Sequence, residues 1–324
     1  MILKRSALNR KSTPVILALN TSIRYILDMA PNTTAHTESL PIIAPRSQTI
    51  LSASDMAIVT ATEILSGKAG YRQFGFVELL TPDGYNPKTK KGRARGYSTA
   101  IMHFAPANLS GFDVCQYATD GCTASCLNTA GHGGIVKAGE VTNDVQRARI
   151  ARTRLFFLNR YLFNILLVRA IETHIRRARA KGLIPVVRLN GTSDLPWEKL
   201  RLNNGRTVLE TFPDITFYDY TKHPKRAIAN ATGQHPANYS LTFSRAESNP
   251  ADVDRVLAAG GNVAAVFKSK LHSLPATYAG LPVIDGDNDD LRFLDPAGVI
   301  VGLAAKGRGK RDTSGFVIIP ARAA

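Results

Sequence analysis

The chain has 324 residues, 41 Lys and Arg against 25 Asp and Glu, a formal charge of +16, and three cysteines. This length suits one large domain or two ordinary domains of about 150 residues, and apolar and charged fractions of 44% and 20% exclude disordered and fibrous proteins. Three cysteines exclude a disulfide scaffold and favour a reducing cytoplasm, while the excess positive charge makes DNA or RNA a candidate partner.

Residues 1–50 predict an N-terminal accessory arm, because they contain four prolines and little sustained periodicity. No cleavable leader is expected from the short apolar run at 14–19. Residues 51–96 predict an accessory segment with a helix over 52–66, an extended stretch over 71–80 and a basic loop over 88–96. The remaining residues, 97–324, predict the main domain, and no apolar stretch in the chain is long enough to span a membrane.

The main domain begins with a predicted strand over 98–104, followed by the three cysteines. Apolar residues at helical spacing predict a long helix over about 143–181. Further strands are predicted over 185–189, 215–218, 239–243, 262–267, 281–284 and 298–303, and a helix over 250–259. Apolar strands separated by helices indicate a parallel sheet with both faces covered. We therefore predict an α/β fold, an incomplete parallel (β/α) barrel whose chemistry lies at the carboxyl ends of its strands.

The three cysteines, Cys115, Cys122 and Cys126, have the spacing C-x6-C-x3-C and are all the cysteines in the chain. Clustered thiolates in a reducing compartment are typical of metal sites. Three thiolates can hold three irons of a [4Fe–4S] cluster and leave the fourth iron open. The alternatives are a Cys3His zinc site completed by His132 or His103, and buried thiols without metal.

A three-cysteine loop directly after the first strand of such a barrel resembles the radical S-adenosylmethionine superfamily. The usual superfamily spacing, C-x3-C-x2-C, differs from the spacing here. The resemblance implies a [4Fe–4S] cluster whose fourth iron binds the amino and carboxylate groups of S-adenosylmethionine. By position, it also implies a cofactor-binding segment after the second strand, which comprises Arg188, Asn190, Gly191, Thr192, Ser193 and Asp194. Alternatively, Asp194 caps a helix that begins at Leu195.

A closer resemblance is to bacteriophage proteins of the gene product 88 type. It rests on Leu-Ser-Gly at 109–111 with the cysteines, Val-Arg-Leu-Asn-Gly-Thr-Ser-Asp at 187–194, Phe-Tyr-Asp-Tyr-Thr-Lys at 217–222 and Leu-Thr-Phe-Ser at 241–244. The resemblance covers roughly residues 96–315, about two thirds of the chain. It implies a phage or prophage origin and the host cytoplasm, but no known reaction.

Polar side chains at the predicted strand ends are candidate ligand contacts. Arg188 lies in an apolar strand and needs an anion, for which Asp194 and Asp219 are candidates; its role is either anion recognition or a structural ion pair. The acidic run over 285–290 resembles a calcium loop in composition but lacks the twelfth-position Glu of an EF-hand. The candidate contacts are Asp219, Tyr220, Lys222, Ser244, Glu247, Lys268, Asp285 and Asp287.

The positive charge is concentrated in residues 151–200, where 10 basic and 3 acidic side chains give +7. Candidate nucleic-acid contacts on the long helix are Arg169, Arg176, Arg177 and Arg179, and the basic stretches over 88–95 and 306–311 add to them. A solvated helix surface is the alternative. Two functions follow as expectations: a radical S-adenosylmethionine-like iron–sulfur enzyme acting on a nucleotide or nucleic acid, or a non-catalytic nucleic-acid-binding protein with structural zinc or an iron–sulfur site.

Overall fold

The computed structural model describes residues 71–137, 140–270 and 273–320. The predicted arm over 1–50 and the predicted helix over 52–66 lie outside these residues. In the described part, the fold is α/β and is built around one nine-stranded sheet. None of the helices described there has the length and hydropathy needed to cross a membrane.

The sheet is mostly parallel, with strand order β1-β2-β3-β4-β5-β8-β7-β6, and β9 pairs with the end of β5. The β6–β7 pair is antiparallel. Within the described residues no pairing joins β1 to β6, so the sheet is open. Each predicted strand overlaps an observed one. The strands are β1 (Tyr97–Ile101), β2 (Ile184–Arg188), β3 (Thr216–Thr221), β4 (Tyr239–Ser244), β5 (Val263–Phe267), β6 (Thr277–Tyr278), β7 (Leu281–Asp285), β8 (Ile300–Ala304) and β9 (Val317–Ile318).

Helices lie between most of the strands, and the two longest pack on one face of the sheet in the large core. The α-helices are α1 (Pro87–Arg93), α2 (Asp120–Ala124), α3 (Asp144–Leu158), α4 (Arg160–Arg179), α5 (Val208–Thr211), α6 (Pro224–Ala231) and α7 (Pro250–Ala258). Short 3-10 helices occur at Tyr71–Phe74, Leu127–Thr129, Gly131–Gly134, Arg292–Leu294 and Gly307–Arg311. The extended stretch predicted over 71–80 is therefore wrong at its start, and most of the predicted basic loop is the helix α1.

The long helix predicted over 143–181 is two helices that meet at Asn159. This residue leaves the helical conformation (φ −142°, ψ 73°), and its side chain accepts a hydrogen bond from the Leu162 N–H as the N-cap of α4. An Asn side chain satisfies one of the amide groups that a helix start leaves without an intrahelical partner. Apolar residues on both sides keep their helical spacing, which explains why the pattern predicted one helix.

The two faces of the sheet bury different sets of side chains, because neighbouring residues of a strand point in opposite directions. Phe217 packs in the large core that α3 and α4 form with the sheet. Tyr218, the next residue, points to the other face and packs with Leu291 and the ring of Phe293. The segment between β7 and β8 therefore covers the face opposite the helices.

The basic α1 and the acidic run over 285–290 bind each other, although they are about 200 residues apart in the chain. Lys88 Nζ lies 2.8 Å from Asp287 Oδ1, and Arg95 Nη1 lies 2.6 Å from Asp289 Oδ2. Burial alone would raise the pKa of Asp287, but Lys88 and Lys306 hold it at about 2. Asp285 accepts a hydrogen bond from the Asp287 N–H. These ion pairs occupy the carboxylates of Asp287 and Asp289 and stabilise the fold.

Candidate functional site

The cysteines lie in the loop that follows β1, at the carboxyl edge of the sheet. Cys115 lies in the first part of this loop, and Cys122 lies within α2. Thr119 is the N-cap of α2 and accepts a hydrogen bond from the Cys122 N–H at 3.2 Å. Cys126 begins the following 3-10 helix, and its thiol accepts from the Asn128 N–H at 3.5 Å. The Cys115 N–H donates to Asp113 Oδ1 at 2.8 Å, so local hydrogen bonds hold the chain at all three cysteines.

All three thiols are free and half-buried. Burial raises the pKa of Cys115 to about 12, and the nearby Cys126 and Cys122 add to this shift. Burial also raises the pKa of Cys126, while the Asn128 N–H and the cations of Arg149 and Lys222 oppose the increase. The three thiols are thus close enough to affect one another electrostatically. Within residues 71–137, 140–270 and 273–320, no three His, Cys, Asp or Glu side chains converge on one point suitable for a single metal ion.

The segment after β2 packs directly against the cysteine loop. The Gly191 N–H donates to Met102 O at 2.9 Å, and Thr192 Oγ1 donates to Phe104 O at 2.5 Å. The Cys115 thiol lies 3.8 Å from Thr192 O. The Asp194 N–H donates to Val114 O at 2.8 Å. The first two strand ends therefore form one continuous surface, as expected for parallel strands.

Gly191 allows this close approach because any side chain would meet the end of β1. A Cβ at this position would lie 2.5 Å from Met102 O and 2.6 Å from Ile101 Cγ2. We expect Gly191→Ala to lower the free energy of unfolding by about 1–3 kcal/mol, since the backbone must shift to accommodate the methyl group. Urea denaturation would measure this change.

Gly84→Ala is the matched control for that substitution. Gly84 is exposed, its φ lies outside the left-handed region, and the nearest atom to a new Cβ is Arg93 Nη2 at 3.4 Å. We expect a change within about 0.5 kcal/mol, as for most surface substitutions. Equal stability of the Gly191→Ala and Gly84→Ala proteins would contradict the proposed close approach.

Asp194 binds the segment that follows β3. It does not cap a helix, since no helix begins at Leu195. Its Oδ2 accepts from the Lys222 N–H at 2.7 Å, and its Oδ1 accepts from Arg226 Nη1 at 2.5 Å. Arg226 also forms two hydrogen bonds with the Glu198 carboxylate, at 2.8 and 2.9 Å. The predicted N-cap role is therefore wrong, and Asp194 instead joins the ends of β2 and β3 through a buried ion-pair network.

Arg188 has a different partner from those expected. Its Nη1 lies 3.1 Å from Asp290 Oδ2, and its guanidinium lies 4.7 Å from the centre of the Tyr220 ring. The expected pairing with Asp194 or Asp219 is wrong, because Arg188 points to the face covered by the segment between β7 and β8. The two alternatives for Arg188 were anion recognition and a structural ion pair, and the structure contains the ion pair.

Asp219 is fully buried beneath the β2 segment. It accepts hydrogen bonds from the Asn190 N–H at 2.6 Å and from the Tyr239 hydroxyl at 3.2 Å. Burial raises its pKa to about 7, although these hydrogen bonds and nearby arginines oppose the shift. Asp219 therefore holds Asn190 in position by a hydrogen bond to its backbone. With 1% of its surface exposed, it has no room for a ligand contact.

The ends of β3 and β4 also reach the cysteine loop, through the His223 ring against Tyr117 and through Glu247. Lys222, after β3, donates from Nζ to Ser244 Oγ at 2.6 Å at the end of β4. Glu247 accepts from Thr119 Oγ1 and from the Gly121 N–H, both at 2.8 Å, and so binds the start of α2. Four successive strand ends thus meet around the cysteines. Lys268 is exposed at the end of β5, whereas Asp285 and Asp287 belong to the charged cluster with α1.

Sequence reasoning missed several groups near the cysteines. The Tyr117 ring lies against the His223 ring, with centroids 4.3 Å apart. Arg149 on α3 binds Asn128, the residue that donates to the Cys126 thiol. The segment after β8 also reaches α2, where Ser125 Oγ donates to Asp312 Oδ1 at 3.2 Å. The available sequence signal was a glycine in the cysteine loop, Gly121, which indicates close packing. In the structure, a Cβ at this position would meet both Ser314 Oγ and Glu247.

The arginines of α4 lie far from the cysteines. Arg176, Arg177 and Arg179 are exposed at the carboxyl end of α4, which directly precedes β2, so they lie at the amino edge of the sheet. Arg169 is half-buried, and Arg177 lies 3.7 Å from Glu78. A helix of 20 residues is about 30 Å long. Arg176, Arg177 and Arg179 therefore lie at the edge of the sheet opposite to the cysteines.

Comparison with known proteins identifies one family. The family model described as gene product 88 matches residues 79–319, a span that contains the cysteine loop and all nine strands. No curated protein and no solved structure matches the chain.

Proposed function

This chain belongs to the gene product 88 family, and from that premise we propose that it is a phage-type iron–sulfur enzyme resembling the radical S-adenosylmethionine enzymes. We further propose that its open parallel sheet is an incomplete (β/α) barrel, and that it acts on a nucleotide or a nucleic acid in the host cytoplasm. The free thiols agree with a reducing compartment. The order of the first five strands, which follows the chain, agrees with a barrel-like arrangement.

One observation carries the proposal: the cysteine loop and the β2 segment form a joint surface at the carboxyl edge. The Cys115 thiol lies 3.8 Å from Thr192 O, so a group held by the cysteines would lie beside residues 190–194. In parallel α/β folds this edge carries the chemistry.

The donor set suits a cluster. Cys115, Cys122 and Cys126 would each hold a different iron of a [4Fe–4S] cluster, so their thiols need not converge on one point. The Asn128 N–H already donates to the Cys126 thiol, and hydrogen bonds to cluster sulfurs are one means by which proteins set reduction potential. Bound and reduced, such a cluster supplies an electron for the cleavage of S-adenosylmethionine.

The remaining roles fall to this chain's own residues. Asn190, Gly191, Thr192, Ser193 and Asp194 would form the wall against which the methionine end of the cofactor rests. Asp194 is held by Arg226 and by the Lys222 N–H, so it acts by keeping this wall in place. Lys222, whose Nζ is bound to Ser244 Oγ, provides a positive charge close to Cys126.

A turnover experiment tests this proposal. Protein with reconstituted iron and sulfide, reduced with dithionite under anaerobic conditions, is expected to bind S-adenosylmethionine and to release methionine from it. The Cys122→Ala protein under the same conditions provides the background rate. A cluster-loaded protein that neither binds nor cleaves S-adenosylmethionine would refute the enzyme proposal, whatever its iron content.

A further inference from the structure

The segment after β8, residues 306–316, covers the cysteine helix α2, and we name it the strap. It contains the 3-10 helix Gly307–Arg311 and ends at the start of β9. Asp312 accepts from Ser125 Oγ at 3.2 Å, and Arg245 Nη1 donates to Phe316 O at 3.0 Å. The Phe316 ring also lies 5.3 Å from Lys222 Nζ. The strap is therefore fixed on the same edge as the candidate site.

The strap carries three exposed cations: Arg308, Lys310 and Arg311. Among the described residues, none of these side chains forms an ion pair or a hydrogen bond. The basic cluster over 88–95 differs in this respect, since Lys88, Lys91, Arg93 and Arg95 are all bound to the protein itself. An uncompensated cluster of this kind is a candidate for binding a polyanion.

A cavity of about 400 Å³ lies between the strap and the end of α2. Its lining includes Ser125, Arg308, Arg311, Asp312, Thr313 and Ser314. Asp312 is the acid in this lining, and its carboxylate already accepts from Ser125, from Ser314 and from the Val317 N–H. Two guanidinium groups and the Thr313 hydroxyl remain as donors, because the Ser125 and Ser314 hydroxyls already donate to Asp312. Guanidinium groups bind phosphate oxygens through paired hydrogen bonds, and hydroxyls complete such sites.

We propose that the strap and its cavity bind the phosphate backbone of a nucleic-acid strand and present that strand to the carboxyl edge of the sheet. Phosphate binding by the strap is independent of any metal. The position of the bound strand beside the cysteines as substrate rests on the proposed function. Arg176, Arg177 and Arg179 lie at the amino edge, so a strand bound there would lie far from the cysteines.

Two triple variants with equal loss of charge test the inference in the full chain. One replaces Arg308, Lys310 and Arg311 with Gln, and the other replaces Arg176, Arg177 and Arg179 with Gln. Fluorescence anisotropy would measure binding of a fluorescein-labelled single-stranded DNA oligonucleotide over a range of salt concentrations. We expect the strap variant to bind at least about ten-fold more weakly and to reduce the slope of log K against log salt by about 2, since about three phosphate contacts are lost. The α4 variant should stay within about two-fold of the unchanged protein.

Equal weakening in both variants, weakening only in the α4 variant, or no weakening in either would overturn the inference. Competition with inorganic phosphate identifies the ligand class. If inorganic phosphate displaced the oligonucleotide at a concentration equal to that of the DNA phosphates, the site would bind a small phosphate ligand, and this result would also overturn the inference. Measuring DNA binding and iron content on the same preparation of the unchanged protein separates the two proposals, because binding by the strap needs no iron. A protein that binds DNA through the strap but holds no iron would end the proposed function and leave this inference intact.

Discussion

The Cys122→Ala protein, purified or reconstituted without oxygen, is expected to lose most of its iron and its visible charge-transfer absorption. Three thiolates are the fewest that hold a [4Fe–4S] cluster with one open iron, so two cannot retain it stably. The side chain of Cys122 packs at the edge of a small cluster with Ala246 and Phe316. Alanine keeps the Cβ, so the fold should persist without the thiol, and circular dichroism would confirm this.

Ser125→Ala is the matched control for the cysteine substitution. Ser125 lies at the end of the same helix and donates to Asp312, but it offers no ligand of the kind that iron–sulfur clusters use. This variant should retain its iron. Iron content in Cys122→Ala equal to that of the unchanged protein, or equal loss in both variants, would contradict the assignment of Cys122 as a ligand.

Arg226→Gln is expected to produce the largest loss of stability. Arg226 is buried, with its side chain 5% exposed, and it binds both Glu198 and Asp194. Its removal leaves two carboxylates with little solvent and no counter-charge. Breaking one side of a buried ion pair costs about 3–5 kcal/mol, and we expect a fall of this size in the free energy of unfolding, measured by urea denaturation at neutral pH.

Arg255→Gln provides the comparison for that substitution. Arg255 also forms an ion pair, with Asp252, but its side chain is 64% exposed. Exposed pairs contribute about 0–1 kcal/mol, so this variant should unfold at nearly the same urea concentration as the unchanged protein. If Arg226→Gln were as mild as Arg255→Gln, the network that joins the ends of β2 and β3 would not be important for stability.

Much of the sheet could be predicted because its central strands are short apolar runs that end in polar residues. Tyr239–Ser244 and Val263–Phe267, which is followed by Lys268, are examples. The two strands that were missed, Thr277–Tyr278 and Val317–Ile318, have two residues each. Two residues are too few to show a periodic pattern of apolar side chains. The helix α1 was missed for another reason. Asn86 and Pro87 form a good helix start, but the run of positive charge that follows suggested a solvated loop.

The candidate site could be predicted in position but not in pairing. Parallel strands bring the cysteine loop, residues 190–194, Lys222 and Glu247 to one edge, and chain order is enough to foresee this. The partner of Arg188 is Asp290, 102 residues away. Nothing in the local sequence distinguishes it from the nearer acids Asp194 and Asp219. The same holds for Lys88 and Asp287, which neutralise each other across the fold.

Net charge was the weakest guide to function. The segment with +7 includes Arg152, which is 9% exposed and donates to the Glu78 carbonyl oxygen. It also includes Arg188, which is paired with Asp290. Of its arginines, Arg176, Arg177 and Arg179 near the end of α4 are exposed, and they lie at the amino edge. Exposure and pairing therefore matter more than the count of charges when a nucleic-acid surface is sought.

Metal analysis of the unchanged protein, purified without oxygen, tests the central claim most directly. We predict a brown protein with about four irons and matching acid-labile sulfide per chain, as a single [4Fe–4S] cluster requires. One zinc per chain without iron would contradict this account and would support the alternative, a non-catalytic nucleic-acid-binding protein in which zinc fixes the cysteine loop.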